Sequence, residues 1–376
     1  MKKISMVDLH GQYLRHREEI DKAIHEVLDS TAFIRGADVE KFQEELASYM
    51  GVKHCIACGN GTDALQIAMM ALGLKPGDEV ITTPFTFIAT VEVISLLRLK
   101  PVLVDVEPGT FNIDPAKIEQ AVTEKTKAIV PVHLFGQAAD MNTILKLAEK
   151  YGLYVIEDNA QAIGADYRLS KGESAKAGAL GNIGCTSFFP SKNLGAYGDG
   201  GALFTNDDDL GAMIRSVVNH GMTKRYHYDH VGVNSRLDTI QAAILRIKLR
   251  HLDEYNVARQ SVAAAYDEAF NTIPGVQVPE RNSDSEHIFH QYTLQVDIKV
   301  RDSLKAYLGE NGIPAMIYYP VPLHLQPAYA NLGYGRGDFP ITESLCEKVI
   351  SLPVHTEMEK DQLAYIISTF MKFFKK

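Results

Sequence analysis

The stretch His54-Cys55-Ile56-Ala57-Cys58-Gly59-Asn60-Gly61-Thr62-Asp63-Ala64-Leu65 strings together three different local signals. His54 to Ala57 is a short apolar run that reads as a buried strand. Gly59 to Thr62 is a turn, and from Asp63 to Leu72 apolar residues return at helical spacing. The same unit recurs downstream. Glu79 to Thr82 reads as a strand, Thr86 to Leu97 as a helix, and Pro101 to Val106 as a strand. Asp114 and Pro115 open a helix as N-cap and first-turn proline. Ala128 to Val132 and Leu153 to Ile156 are further strands, with a helix from Met141 to Lys150 between them. Strands that are apolar throughout need cover on both faces. Their alternation with amphipathic helices implies a mostly parallel sheet between helix layers, an α/β fold. In such sheets a ligand sits outside the carboxyl ends of the strands. The loops to inspect are therefore 59–62, 83–87, 158–161 and 187–192.

On the N-terminal side, one helix is expected from about Gln12 to Leu28 and another from Val39 to Met50, ended by Gly51. On the C-terminal side the rhythm changes after Phe204. A continuous helix from about Leu237 to Phe270 is expected to lead into a smaller α+β domain. There Tyr292 to Val296 alternates like a half-exposed strand, and helices near Ser303–Leu308 and Asp361–Phe374 pack on it. The chain has 376 residues, 46% of them hydrophobic, enough for two cores. The expected division is 1–250, a large domain with an N-terminal helical arm, and 251–376, a small domain.

Lys plus Arg total 38 against 47 Asp plus Glu, a net charge of -9 with no basic run, which disfavours nucleic acid as a partner. No uncharged apolar span reaches 18 residues, so no membrane crossing is expected. The opening Met1-Lys2-Lys3-Ile4-Ser5-Met6-Val7-Asp8 is unlike a signal peptide, so a cytoplasmic location is expected. Cys55 and Cys58 form a CxxC, but no second pair completes a metal set, and Cys185 and Cys346 stand alone. The two read as small buried side chains at a strand end, and no metal is expected.

Three segments at the strand ends carry chemistry. Gly59-Asn60-Gly61-Thr62, at a helix start, is either plain turn chemistry or an anion cradle of backbone N–H groups and a hydroxyl. It matches neither a Walker A loop nor a GxGxxG fingerprint. Asp158 closes the strand Tyr154-Val155-Ile156-Glu157-Asp158. A carboxylate there is either a loop acid or cap, or the partner of a buried cation, and a pyridinium nitrogen would suit it. Gln161, three residues on, is placed to reach a ring oxygen of the same ligand. Lys192 lies in Ser187-Phe188-Phe189-Pro190-Ser191-Lys192-Asn193-Leu194-Gly195, a loop followed by Gly198, Gly200 and Gly201. It is either an ordinary exposed lysine or the desolvated amine that Schiff-base chemistry requires.

Gly61-Thr62-Asp63-Ala64-Leu65, Glu157-Asp158-Asn159-Ala160-Gln161, the segment ending in Lys192-Asn193, Gly198-Asp199-Gly200-Gly201 and Gly232-Val233-Asn234-Ser235-Arg236-Leu237-Asp238 occur in this order. Together they resemble the DegT/DnrJ/EryC1/StrS family of pyridoxal-phosphate (PLP)-dependent sugar-nucleotide aminotransferases, over about Phe33 to Pro353. The resemblance implies an aspartate-aminotransferase-like fold (PLP fold type I) and a homodimer. It implies that Lys192 forms the Schiff base and that Asp158 pairs with the pyridine nitrogen. It places Gln161 on the ring hydroxyl, Phe85 against the ring face, and Gly61, Thr62 and Ser187 on the phosphate, with Asn234 supplied to that phosphate by the neighbouring subunit.

It further implies transamination: L-glutamate gives its amine to the cofactor, leaving pyridoxamine 5'-phosphate, and a nucleotide-linked keto sugar takes it. Within the family, members that aminate a UDP-linked 3-keto N-acetylhexosaminuronate for surface polysaccharide such as lipopolysaccharide are the nearest match. Arg236 and Tyr318-Tyr319-Pro320 fall in segments that such enzymes present to the sugar. Arg236 either grips the uronate carboxylate as a two-pronged donor or pairs with Asp238. Tyr318 stands where the uronate-specific members carry histidine. The alternatives are amination of a 4-keto-6-deoxy sugar, dehydration in a branch whose lysine is replaced by histidine, desulfurisation through a mobile cysteine (Cys346 sits in a helical segment instead), and a PLP-binding regulator without turnover.

Overall fold

Three helices precede the first strand in the computed structural model, which describes residues 3–170 and 172–375. They are α1 (Leu9–Arg15), α2 (Arg17–Ser30) and α3 (Ala37–Met50). The single opening helix expected from Gln12 to Leu28 is thus two, because His16 leaves helical geometry at φ -117° and caps both. α3 ends as the sequence indicates, with Gly51 left-handed at φ 69°.

The main sheet then forms from β1 (His54–Cys58), β2 (Glu79–Thr82), β3 (Lys100–Leu103), β4 (Thr126–Ile129) and β5 (Tyr154–Asp158). Between them run α4 (Gly61–Ala71), α5 (Ala89–Leu96), α6 (Pro115–Ala121) and α7 (Met141–Tyr151). Asp114 caps α6 through Ala116 N, ahead of Pro115, and Asp140 caps α7 through Thr143 N. A hairpin of β6 (Asp166–Arg168) and β7 (Ser174–Lys176) precedes two more sheet strands, β8 (Ile183–Ser187) and β9 (Gly201–Thr205). Among the described residues the sheet has seven strands in the order β1-β9-β8-β5-β4-β2-β3. The pairs β2·β3, β2·β4, β4·β5 and β5·β8 are parallel, while β9 runs antiparallel to both neighbours. The mostly parallel α/β sheet is therefore as expected, with apolar cores on both faces. Cys55 and Cys58 are buried on β1, where burial pushes both thiols up.

After α8 (Asp208–Val217), an exposed hairpin of β10 (Met222–Lys224) and β11 (His227–Tyr228) leads to α9 (Thr239–Leu249) and α10 (Leu252–Phe270). The continuous helix expected from Leu237 to Phe270 is broken at Arg250-His251. The His251 ring stacks on His16 with centroids 4.2 Å apart, so the two helix breaks face each other. Beyond lie β12 (Val276–Gln277), β13 (Tyr292–Val296), α11 (Ile298–Glu310), α12 (Pro340–Lys348), β14 (Val349–Leu352) and α13 (Lys360–Phe374).

β13 is not half-exposed. It is the central, fully buried strand between β12 and β14, and its polar face is covered as well as its apolar one. Thr293 Oγ1 meets Ser351 Oγ at 2.8 Å, and Gln295 Nε2 donates to Pro108 O at 2.8 Å. The apolar face packs with Tyr266, Phe270, Phe370 and the N-terminal Ile4. Each fully buried aromatic there contributes about 1.5–3 kcal/mol. Cys346 lies in α12, as its helical segment indicates. No helix among the described residues is long and apolar enough to cross a membrane.

Candidate active site

β5 ends in two adjacent acids whose side chains point to opposite faces of the sheet. Glu157 is saturated. It accepts backbone N–H groups from Gly178 (2.8 Å), Leu180 (2.7 Å) and Gly181 (2.6 Å) and meets His133 Nε2 at 2.8 Å. His133 Nδ1 accepts the Ala139 N–H at 3.2 Å, so the ring proton resides on Nε2 and is donated to Glu157. Asp158 is buried too, yet only two donors reach it among the described residues. Thr90 Oγ1 donates to Oδ2 at 2.8 Å and Ala160 N to Oδ1 at 3.2 Å. Burial pushes its carboxyl above the usual range, against the pull of those two bonds and of nearby Lys192 and His133. A buried acid with spare acceptor capacity facing a cavity needs a cation.

That cavity, about 550 Å³, opens at the carboxyl ends of the strands, and all four expected loops line it. Gly61 and Thr62 come from the first, Thr86 and Phe87 from the second, Asp158 and Gln161 from the third, and Ser187 and Lys192 from the fourth. His290, Tyr318 and Tyr319 close it from the side of the small sheet.

Lys192 follows β8 in a turn where its own N–H bonds Phe189 O at 2.8 Å. Its amine has no hydrogen-bond or ion-pair partner among the described residues. Burial lowers it to about 8, with Asp158 acting in the opposite direction. A tenth or so of such amines are neutral near pH 7, against roughly one in 10³ for an exposed lysine. The loop is clamped from behind: Asn193 Nδ2 donates to Asn256 Oδ1 (2.8 Å) and Ile288 O (3.1 Å), and buried Lys248 donates to Gly195 O.

At the other end of the cavity, Asn60 Oδ1 takes the Asp63 N–H at 2.8 Å. The Gly61 and Thr62 N–H groups, at the start of α4, have no acceptor among the described residues. A side chain at Gly61 would place its Cβ 2.7 Å from Ser187 Cβ, so only glycine lets the two loops approach. Ser187 Oγ accepts the Phe189 N–H at 3.2 Å, which leaves its own proton free to donate. The result is an anion cradle. Between the two ends, Gln161 is fixed by Phe135 N donating to Oε1 (2.7 Å) and by its own Nε2 donating to Tyr319 Oη (3.2 Å).

Phe85 does not line the cavity. It is fully buried among the rings of Phe111, Phe135 and Tyr319, at centroid distances of 6.1–6.3 Å. The ring presented to the cavity from that loop is Phe87, 56% exposed. Asn234 and Arg236 do not line it either. Residues 234–238 alternate, with Ser235 and Leu237 buried and Asn234 and Asp238 exposed. Ser235 Oγ accepts the Gly59 N–H at 2.8 Å and donates to Asp63 at 2.5 Å, so the segment lies against the anion cradle, with Asn234 exposed and Arg236 half-buried. Arg236 forms no ion pair among the described residues, with Asp238 or otherwise.

Sequence reading missed Thr90, His133 and His290. Thr90 is a polar residue in a largely apolar helix, four after Thr86, which is a usable signal. His290 precedes β13 and gives none.

Residues 15–371 match the DegT/DnrJ/EryC1/StrS aminotransferase family. The chain belongs to that family. It is 47% identical over 374 residues to the pleiotropic regulatory protein of Geobacillus stearothermophilus, covering 99% of each chain. It is 46% identical over 363 residues to the UDP-2-acetamido-2-deoxy-3-oxo-D-glucuronate aminotransferase of Pseudomonas aeruginosa, 96% of this chain and 98% of that one. The crystal structure of S. venezuelae DesV superposes with a TM-score of 0.96 at 38% identity, covering 100% of both chains. The chain is thus a sugar aminotransferase of fold type I that works with pyridoxal phosphate. The cavity fits that cofactor, with an unpaired amine, an under-satisfied acid and an anion cradle at separate points of its wall.

Proposed function

We propose that this DegT/DnrJ/EryC1/StrS family member moves an amino group from L-glutamate to the 3-keto carbon of a UDP-linked N-acetylhexosaminuronate, for surface polysaccharide synthesis. The observation that carries the transamination chemistry is the desolvated Lys192 amine, without a partner among the described residues, beside Asp158. When bound, the cofactor supplies an electron sink for the carbon that carries the amine. Lys192 Nζ would hold the cofactor covalently and, once released, take the proton from the donor's α carbon as general base. Asp158 would hold the ring-nitrogen proton, with Gln161 at the ring oxygen. Gly61 N, Thr62 N and the Ser187 hydroxyl would bind phosphate.

The uronate reading rests on Arg236, a guanidinium without an ion pair among the described residues, and on the likeness to the P. aeruginosa enzyme. One observation favours a second reading, a 4-keto-6-deoxy sugar. Tyr318 replaces the histidine of the uronate-specific pattern. We also propose a homodimer, in which exposed Asn234 and half-buried Arg236 complete the partner's cavity, and a division of the chain into 1–250 and 251–376. The test is to incubate the enzyme with glutamate and each keto sugar in turn, following 2-oxoglutarate and the aminated sugar by mass spectrometry. Preferential turnover of the UDP-uronate supports the first reading, and preference for a nucleotide-linked 4-keto-6-deoxy sugar replaces it with the second. Activity that survives dilution to a monomer would remove the shared site.

A further inference from the structure

Thr90 sits on the first turn of α5 with its hydroxyl fully buried, and Thr86, one turn earlier, is buried beside it at the cavity wall. Thr90 Oγ1 has a single proton and three acceptors in reach. Asp158 Oδ2 lies at 2.8 Å, Thr86 Oγ1 at 3.2 Å and Phe87 O at 3.4 Å. A carboxylate at the shortest distance takes it, since charge-assisted bonds are the strongest of their kind. With that proton committed, Thr90 can only accept from Thr86, so the Thr86 hydroxyl points at Thr90. Two dipoles then line up in series toward one oxygen of Asp158, each strengthening the next. On the opposite face of the strand, Glu157 shows what full satisfaction looks like, with four donors. Asp158 has the relay, one backbone N–H and an open side.

We infer that Thr86 and Thr90 are positioning residues: their one-way hydroxyl relay keeps Asp158 ionised and turned toward the cavity. This rests on Asp158 being the partner of the cofactor's ring nitrogen. The carboxyl is pushed up by burial, so it depends on donors to stay ionised. The other titratable groups that face it are Lys192 and His133, which favour the anion, and Tyr319 and Cys185, whose own protons burial holds on. Removing the Thr90 donor raises the pH at which Asp158 takes up a proton, and a neutral acid cannot hold a pyridinium. Cofactor release on acidification should therefore begin at a higher pH.

The experiment is equilibrium dialysis of full-length holoenzyme against buffers stepped down from pH 8, reading bound pyridoxal phosphate, with kcat and KM measured in parallel. Thr90→Val should retain cofactor about 10- to 100-fold less tightly at neutral pH, the range for losing a bond to a charged group. Its release midpoint should move up in pH, and kcat should fall with little change in KM. Thr90→Ser should restore both. Thr86→Val, which leaves the Thr90–Asp158 bond in place, should shift the midpoint the same way by less, and it carries the test if Thr90→Val does not fold. A wild-type midpoint in Thr90→Val, or in Thr86→Val where that variant carries the test, overturns the relay, as does Thr90→Ser behaving like the valine variant. Asp158→Asn separates the two levels. Wild-type retention and turnover there would overturn the ring-nitrogen reading itself, whereas losses there beside a wild-type Thr90→Val overturn only the relay.

Discussion

Glu157 and Asp158 are neighbours in sequence, both buried, and opposite in role. The Glu157 side of β5 is closed: three backbone N–H groups and His133 account for its oxygens, and it ties the 178–181 turn to the sheet. The Asp158 side is left open, with two donors and a cavity in front. Burial alone therefore does not distinguish a working acid from a structural one. The count of donors does, because an incompletely satisfied buried charge persists only where a ligand completes it.

The sharpest way to break this contrast lies on the open side. Lys192→Ala should cost about 10⁴-fold in turnover, lose the yellow, borohydride-reducible attachment of the cofactor, and leave thermal stability at or above wild type. Loss of stability instead would make Lys192 structural. Asp158→Asn should come next, at about 10²- to 10³-fold in kcat, with cofactor held at least as loosely as in Thr90→Val, through the phosphate end and Lys192 alone. On the closed side, Glu157→Gln should behave inversely. Losing charge-assisted bonds should cost about 2–4 kcal/mol of folding stability, read by denaturant melts, while turnover per folded molecule stays within a few-fold. If it were instead to match Asp158→Asn in turnover, the two faces would not be functionally distinct.

Two smaller effects sharpen the picture. Arg236→Lys should lower activity on a uronate about tenfold more than on its uncharged hexose analogue, since lysine lacks the planar fork. Equal losses would take Arg236 off the carboxylate. Capture of added pyridoxal phosphate by cofactor-stripped protein should accelerate as pH rises through about 8, where the Lys192 amine loses its proton, and not through the ordinary lysine value of 10.5. The sign follows from the neutral amine being the nucleophile.

The open side was largely legible in sequence. A parallel α/β rhythm puts the ligand at the strand ends, and glycine turns, a strand-terminal acid and a loop lysine are local signals there. Phe85 and Phe87 were not separable, because which ring turns inward depends on Phe111 and Phe135, which are distant in sequence. The closed side was invisible for the same reason: donors to Glu157 come from residues 133 and 178–181. The two helix breaks escaped notice because apolar spacing continues through His16 and His251, and only their mutual stacking marks the interruption. β13 looked half-exposed because Thr293 and Gln295 are polar, while their partners Ser351 and Pro108 lie far along the chain.

The antiparallel strand β9 has a consequence for how the chain assembles as it is made. Among the described residues β1 pairs only with β9, Cys58 standing opposite Gly201. At ribosomal speeds of about 5–20 residues per second, the roughly 140 residues between them keep β1 waiting on the order of 7–30 seconds. During that interval β2, β3, β4 and β5 have emerged and can pair in parallel, while β1 presents an apolar ribbon with free N–H and C=O groups. A nascent chain stalled before Gly201 would therefore hold α3 and β1 as its stickiest part, the natural address for a chaperone.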